Sequence, residues 1–318
     1  MAVTMADVAR RAGTSVAVVS YVLNNGPRPV AEATRARVLA AAAELGYRRN
    51  RVAAALRSGS TGLVGLVLPD TVNPYFAALG RQIEQALADA GKLTVIANSG
   101  YDSARQSAAV DGFLAARVDG LIIVWTGDST DPAAETPVVY VHNRPPGSTA
   151  TVIAGDNRAG VAEAVAHLRE HGHERIDFLA GETDDGPVGE RVAAWRAAAQ
   201  GRLLRSAYSR AAAAELMRGL TKWPAALLVA TDEQAIGVLS AADAAGVAVP
   251  GDLAVVSCDG SPDSEFTVPP LTVVAQPFAE MAQQAVRLLL AEPRDGSPIA
   301  VRLTVRRSCG CPHRTTVA

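Results

Sequence analysis

The stretch ADVARRAGTSVAVVSYVLN, residues 6–24, decides how the beginning of the chain folds. Thr4 precedes a short helical pattern, with Asp7 three residues on, which reads as an N-cap followed by an acid in the first turn. Val8, Ala9 and Ala12 fall on one face. Gly13 supplies a turn and Ser15 is a natural N-cap for a second helix, where Val19, Val22 and Leu23 follow the i, i+3, i+4 spacing of an inward stripe. Val16, Ala17, Ser20, Tyr21 and Asn24 are left on the opposite side. After the break at Asn25-Gly26-Pro27, a third helix is expected from about Ala31 to Leu45, with Val38, Leu39, Ala42 and Leu45 facing inward and Gly46 in the C′ position. Two short helices around a tight glycine turn, with a third against them, make a helix-turn-helix unit. On pattern alone, a plain helical bundle is its rival.

Charge separates the two. Residues 1–60 hold nine arginines against Asp7, Glu32 and Glu44, so 9 − 3 gives +6; the whole chain carries −2, which leaves −8 for the remainder. A small basic head on an acidic body points to a polyanionic partner for the head, against the plainer reading of a solvated basic face. Residues 47–57, YRRNRVAAALR, form a short basic helical pattern followed by the linker SGSTG. Isolated helices shorter than roughly 12–15 residues are marginal in water, so this segment is expected to order only on a partner. Its one large apolar residue is Leu56.

Beyond the linker the pattern changes period. Short apolar runs at 62–69, 92–98, 118–125, 136–142, 150–155, 174–181, 224–230, 252–259, 271–276 and 299–307 alternate with helical patterns near 74–90, 103–116, 157–171, 188–200, 209–220, 232–246 and 277–291. Strand–helix alternation with near-continuous apolar strands predicts buried parallel sheets and an α/β architecture. Ten strands fit two smaller lobes better than one large sheet, and ligands in such folds bind beyond the carboxyl ends of the strands. The expected organisation is a helix-turn-helix domain over 1–47, a hinge helix and linker over 48–60, and a two-lobe body over 61–318.

Several classes are disfavoured. No run of about 18 or more apolar residues occurs, so no membrane span is expected. The first residues lack the apolar core of a secretory signal, and three cysteines are too few for a disulfide framework, so the cytoplasm is the expected compartment. GxGxxG, Walker A, HExxH and GxSxG patterns are absent from the sequence, and no enzyme activity or cofactor is expected. His171-Gly172-His173 and Cys309-Gly310-Cys311-Pro312-His313 offer soft ligands at spacings unlike ordinary zinc sites, so neither is assigned a metal.

The run at 6–24, the later ATRARVLAAAAELGYRRNRVAAALRSGST and their spacing resemble the DNA-binding head of the LacI family of bacterial transcription regulators. Blocks such as TVIAGDNRAGVAEAVAHLREHGHERIDFLAG and ALLVATDEQAIGVLSAADAAGVAVPGDLAVVSCDG extend the resemblance across the chain. It implies a homodimer on double-stranded operator DNA, with the second helix in the major groove and a hinge helix in the minor groove, where Leu56 takes the place of a wedging leucine. The implied DNA-contacting set is Thr4, Ser15, Val16, Ala17, Ser20, Tyr21, Asn24, Arg28, Thr34, Asn50, Ala53 and Leu56. The family's two leading base-reading positions fall here on Val16 and Ala17, which form no hydrogen bonds. Ala31 and Arg49 also depart from the family's usual Ser or Thr and proline.

For the body, the resemblance implies a periplasmic-binding-protein-like domain holding a small, carbohydrate-like effector in its cleft. Tyr75 and Phe76 match stacking positions, Arg191 a clamping arginine, Asp259 a hydroxyl-accepting carboxylate, and Gln276 a residue near the return to the first lobe. Thr231 replaces a ligand-binding Asn. Trp125, at the end of the third apolar run, is a further stacking wall, with a core tryptophan as its bland alternative. The stretches 125–137 and 200–224 are short for the family, which leaves a regulator without effector response as an alternative. A solute-binding protein of the same body fold is the other.

Overall fold

A computed structural model describes residues 3–23, 28–48, 59–127, 135–290 and 298–311. The chain divides into two units, Met1–Thr61 and Gly62–Ala318. In the first, α1 (Met5–Ala12), α2 (Val16–Leu23) and α3 (Glu32–Glu44) enclose a small core of Val8, Ala9, Ala12, Val19, Val22, Val38, Ala41 and Ala42. Thr4 and Asp7 close a capping box on α1, and Gly13 ends that helix in the left-handed region at φ 61°. Ser15 Oγ accepts from the Val18 amide at 3.3 Å, which starts α2 where the sequence places it. One inward assignment fails: Leu39 is 48% exposed, and Ala41 is buried in its stead. The stripe on α3 is Val38, Ala41, Ala42, Leu45, the i, i+3, i+4, i+7 series, and Leu39 lies about 100° of helical turn away from Val38.

The second unit holds two doubly wound lobes. Lobe 1 is a parallel sheet in the order β2-β1-β3-β4-β5, from β1 (Leu63–Leu68), β2 (Leu93–Asn98), β3 (Gly120–Ile123), β4 (Val138–Val141) and β5 (Val152–Ile153). Alternate residues of β1 serve opposite faces. Leu66 and Leu68 pack under α4 (Pro74–Asp89), whereas Val67 packs with Val110 of α5 (Ser103–Ala115). Lobe 2 is ordered β11-β10-β9-β8-β6-β7, from β6 (Asp177–Ala180), β7 (Leu203–Arg205), β8 (Ala226–Val229), β9 (Ala254–Ser257), β10 (Thr272–Ala275) and β11 (Arg302–Thr304). Helices α6 (Asn157–Glu170) and α7 (Gly186–Ala198) cover one face; α8 (Arg210–Arg218) and α9 (Asp232–Ala245) cover the other. Every pair in it is parallel except β10 with β11, an antiparallel edge on an otherwise parallel sheet.

Two features depart from the expected pattern. β7 is absent from the apolar runs because it is only three residues long, none of them buried, with Arg205 among them. Helix α10 (Phe278–Leu289) follows a lobe 2 strand yet buries Met281, Ala282, Ala285, Val286 and Leu289 in the core of lobe 1. The chain therefore crosses between lobes at 154–156 and at 276–277, and it is back beside the first crossing where Gly155 bridges Ile299. These adjacent crossings form the hinge beneath the cleft.

Candidate functional site

On the head, the outer side of α2 matches the sequence reading. Val16 is 47% exposed and Ala17 is exposed, with Ser20 and Tyr21 half-buried beside them. The Arg28 guanidinium lies 5.9 Å from the centroid of the Tyr21 ring, a cation–π distance that ties Arg28 to this face. Thr4 donates its hydroxyl to Asp7 at 2.7 Å, a bond that also holds the Asp7 carboxyl below the usual carboxylate range. The Thr34 hydroxyl accepts from Arg37 at 3.5 Å. Asn24, Asn50, Ala53 and Leu56 lie outside the described residues.

In the body, a cavity of about 370 Å³ opens between the lobes, within the usual range for small-molecule sites. Tyr75, Phe76, Trp125, Arg191, Thr231 and Asp259 all line it, joined by Tyr101, His142, Asn143 and Tyr208. Gln276 does not. Its amide accompanies the crossing at the hinge, where Nε2 lies 3.5 Å from both Asn157 Oδ1 and the Cys258 carbonyl. Gly155 has no Cβ because that position would collide with the Gln276 side chain. Gln276 is therefore a hinge residue; its place in chain order put it near the ligand, but its side chain is held by the crossing strands.

Arg191, on α7, is buried at 1% exposure and organises the floor. Its Nε donates to Asn157 Oδ1 at 2.9 Å, and its Nη1 to the Ala230 carbonyl at 2.6 Å and Asp259 Oδ1 at 3.2 Å. The remaining nitrogen, Nη2, is buried with no hydrogen-bond partner among the described residues, and so is Asn143 Oδ1 on the opposite lobe. A buried unsatisfied donor and acceptor each cost free energy unless a further group meets them. Asp259 also accepts the Asp232 amide at 3.0 Å. Asp232 in turn fixes the loop by accepting from Ser257 Oγ at 2.5 Å and from Ser261 N and Oγ at 2.6 and 2.7 Å. Burial pushes the Asp259 carboxyl up to about 7; the Arg191 charge pulls the other way and the nearby Asp232 adds to the rise.

The aromatic wall is built at the start of α4. Asn73 caps that helix by accepting from Tyr75 N at 2.9 Å, which turns Tyr75 and Phe76 toward the cleft. Tyr75 Oη lies 2.7 Å from His142 Nδ1, and burial holds that imidazole down at about 3, neutral at ordinary pH. Tyr101 and His142 both adopt positive φ, 60° and 72°, a strained conformation that clusters at binding sites. Trp125 serves two roles: it packs against Tyr140 in the core, and its Nε1 donates to the Gly127 carbonyl at 3.0 Å, so only part of the ring meets the cavity. The Thr231 hydroxyl is occupied as the N-cap of α9, accepting from Gln234 N at 3.2 Å.

Tyr101, His142, Asn143 and Tyr208 were not singled out by the sequence reading. The signal was positional: they follow the carboxyl ends of β2, β4 and β7, the rim where such folds bind ligands. His171 and the Cys309–Cys311 pair, each at spacings unlike ordinary zinc ligands in sequence, come together in space. The fold places His167 of α6 and His171 at its C-cap beside Cys309 and Cys311, while His173 stays outside the group. No helix among the described residues is long and apolar enough to cross a membrane.

Comparison with known proteins gives the family context. Residues 4–50 match the family described as bacterial regulatory proteins, lacI family, and residues 165–309 match a periplasmic binding protein-like domain. The chain is 36% identical over 320 residues to the HTH-type transcriptional regulator MalR of Streptomyces coelicolor, covering 92% of this chain and 90% of that protein. It is 32% identical over 308 residues to catabolite control protein A of Priestia megaterium, covering 91% and 92%. Among solved structures, the lac repressor dimer bound to operator and the anti-inducer ONPF superposes with a TM-score of 0.85 at 28% identity, covering 97% of this chain and 99% of that one.

Proposed function

This chain belongs to the LacI family of bacterial transcription regulators, and on that premise we propose that it is a dimeric operator-binding repressor controlled by a carbohydrate-like effector in the body's cleft. Its partner is cytoplasmic double-stranded DNA. The +6 head supplies backbone affinity. Helix α2 reads the major groove largely by apolar contact, because Val16 and Ala17 suit a thymine methyl group. The rest of the specificity comes from the deformable base step that Leu56 opens.

The observation that carries the effector reading is the buried, unpartnered Nη2 of Arg191 at the cavity. A hydroxyl-bearing ligand accepts from this nitrogen, donates to Asn143 Oδ1, and lays its C–H faces on Phe76 and Trp125. Both lobes then hold one molecule, so the ligand favours one lobe arrangement over another. Asn157 couples that arrangement to the crossings, since it accepts from Arg191 on one side and from Gln276 on the other. Dimerisation fits the free edge of lobe 1, where β2 exposes Leu93, Val95 and Ile96, an apolar edge strand that monomers normally protect.

The test is operator selection from a random DNA pool by the full chain, followed by binding at rising salt with and without a panel of sugars. A regulator of this kind loses affinity steeply with salt, by roughly 0.9 log unit per decade of salt for each phosphate neutralised, and one sugar class shifts its operator affinity. No enriched site refutes the operator reading. Enrichment with no sugar response leaves a repressor without an effector.

A further inference from the structure

We propose that lobe 2 carries a Cys₂His₂ site for a thiophilic divalent cation, zinc by its ligand set, formed by His167, His171, Cys309 and Cys311. The two histidines stand one turn apart, His167 in the last turn of α6 and His171 at its C-cap, with ring centroids 4.9 Å from each other. The two cysteines come from the segment beyond β11, 138 to 144 positions away in sequence. His167 Nε2 lies 3.2 Å from Cys309 Sγ and 3.7 Å from Cys311 Sγ, and His171 Nε2 lies 3.0 Å from Cys311 Sγ. One ligand atom from each of the four falls within 4.8 Å of the others.

These separations are close to those of a coordination shell. Zinc bonds of about 2.3 Å to sulfur and about 2.0–2.1 Å to nitrogen, at tetrahedral angles, put S and N roughly 3.6 Å apart. The observed S···N distances of 3.0, 3.2 and 3.7 Å bracket that value. A pair of imidazole–thiol hydrogen bonds accounts for two of these contacts, but not for the gathering of all four ligand atoms within 4.8 Å of one another.

The surroundings hold the ligands in place. Gly310, at φ 99°, provides the left-handed turn between the cysteines. Thr272 Oγ1 donates to Cys309 Sγ at 3.0 Å, an outer-sphere bond of the sort that stabilises a ligating thiolate. Ser308 anchors the segment by donating to the Val255 carbonyl at 2.6 Å and accepting from Thr272 N at 2.8 Å. Cys309 is buried, Cys311 is half-buried and His171 is exposed, so a cation enters from the α6 side. Four protein ligands leave no open position, which makes the site structural: it clips the segment after β11 to α6. Binding M²⁺ forms two M–S and two M–N bonds and releases the two thiol protons to solvent.

The test is a Co²⁺ titration of the untagged full chain, reduced and stripped with chelator, followed by Zn²⁺ displacement. The expected result is one Co²⁺ per chain, with the intense visible bands of a tetrahedral centre and sulfur-to-cobalt charge transfer, both removed by one equivalent of Zn²⁺. His171→Ala and Cys311→Ser alter side chains that reach solvent, so the fold tolerates them. Each weakens binding by at least roughly 10–100-fold, the scale of outer-sphere losses, whereas His173→Ala binds as the wild type does. Uptake below one equivalent, a spectrum without thiolate charge transfer, or unchanged binding by Cys311→Ser overturns the proposal.

Discussion

Replacing Arg191 with Met removes the cation at the centre of the cleft while keeping an unbranched side chain of similar reach. In the folded protein this guanidinium serves Asn157 Oδ1, the Ala230 carbonyl and Asp259 Oδ1 from a position only 1% exposed. Deleting one partner of a buried, hydrogen-bonded ion pair costs about 3–5 kcal/mol, because the carboxyl left behind must either stay charged out of water or take up a proton, and its neighbours lose their donor. For a unit of this size, each kcal/mol lowers Tm by about 2–4 °C, so the body transition falls by roughly 6–20 °C. Calorimetry of the full chain reads it directly.

The sign of the pH dependence follows from Asp259. Burial already raises its carboxyl from 3.8 to about 7 against the pull of Arg191, and without the arginine it rises further. A folded-state value above the unfolded one means that the native protein binds more protons between the two. The contribution to stability is complete below the unfolded value and is lost as pH rises through the folded value. The deficit of Arg191→Met therefore widens above about pH 7, where Asp259 ionises in the native wild type but stays protonated in the variant, by up to about 1.4 kcal/mol per pH unit. A second change, Asp259→Asn, recovers part of the loss and flattens the pH dependence. A Tm difference under about 2 °C, or a deficit that shrinks as pH rises, refutes the reasoning.

Other perturbations test separate links. Tyr75→Phe leaves buried His142 Nδ1 without the hydroxyl that now meets it at 2.7 Å, and chemical denaturation should show a loss of about 1–3 kcal/mol. Gly160→Ala drives a methyl group into Val274 and Val301 between α6 and lobe 2's sheet; overpacking there costs about 1–3 kcal/mol, read as a lower denaturation midpoint. Leu56→Ala weakens binding to the selected operator far more than to random DNA, and equal losses on both would remove the wedge role. Ala17→Gln shifts the preferred base at one position of the selected site toward adenine; recovery of the same site by both proteins would mean that α2 is not where sequence is read.

Much of the site was legible because the fold class fixes where ligands go. Once strand–helix alternation gives a doubly wound body, residues just past each strand's carboxyl end become candidates, and Trp125, Thr231 and Asp259 stand at such positions. His142 and Tyr208 stand there too, but β7 was too short and too polar to be recognised, so the residue following it carried no signal. Gln276 fails for the opposite reason. It follows β10, but the chain there is leaving lobe 2 for α10, and the side chain is taken up by Asn157 and the Cys258 carbonyl. In the head, Leu39 shows that an apolar residue adjacent to a stripe is not part of it when small alanines already fill the helix contact.

By itself, the sequence determined the local events: the Thr4–Asp7 cap, the turn at Gly13, the exposed Val16 and Ala17, and the apolar strands whose burial on both faces requires parallel sheets between helices. Each of these depends on residues within a few positions of one another, so periodicity and capping chemistry reveal them. Tertiary structure alone decided the rest. Arg191 meets Asp259 across 68 positions, and His167 meets Cys309 across 142. No local spacing encodes such pairs, because their distance is set by how two sheets stack their helices and where the chain crosses between lobes. The soft ligands of α6 and of the last segment are unremarkable apart; only the fold that lays one on the other gives them a common centre.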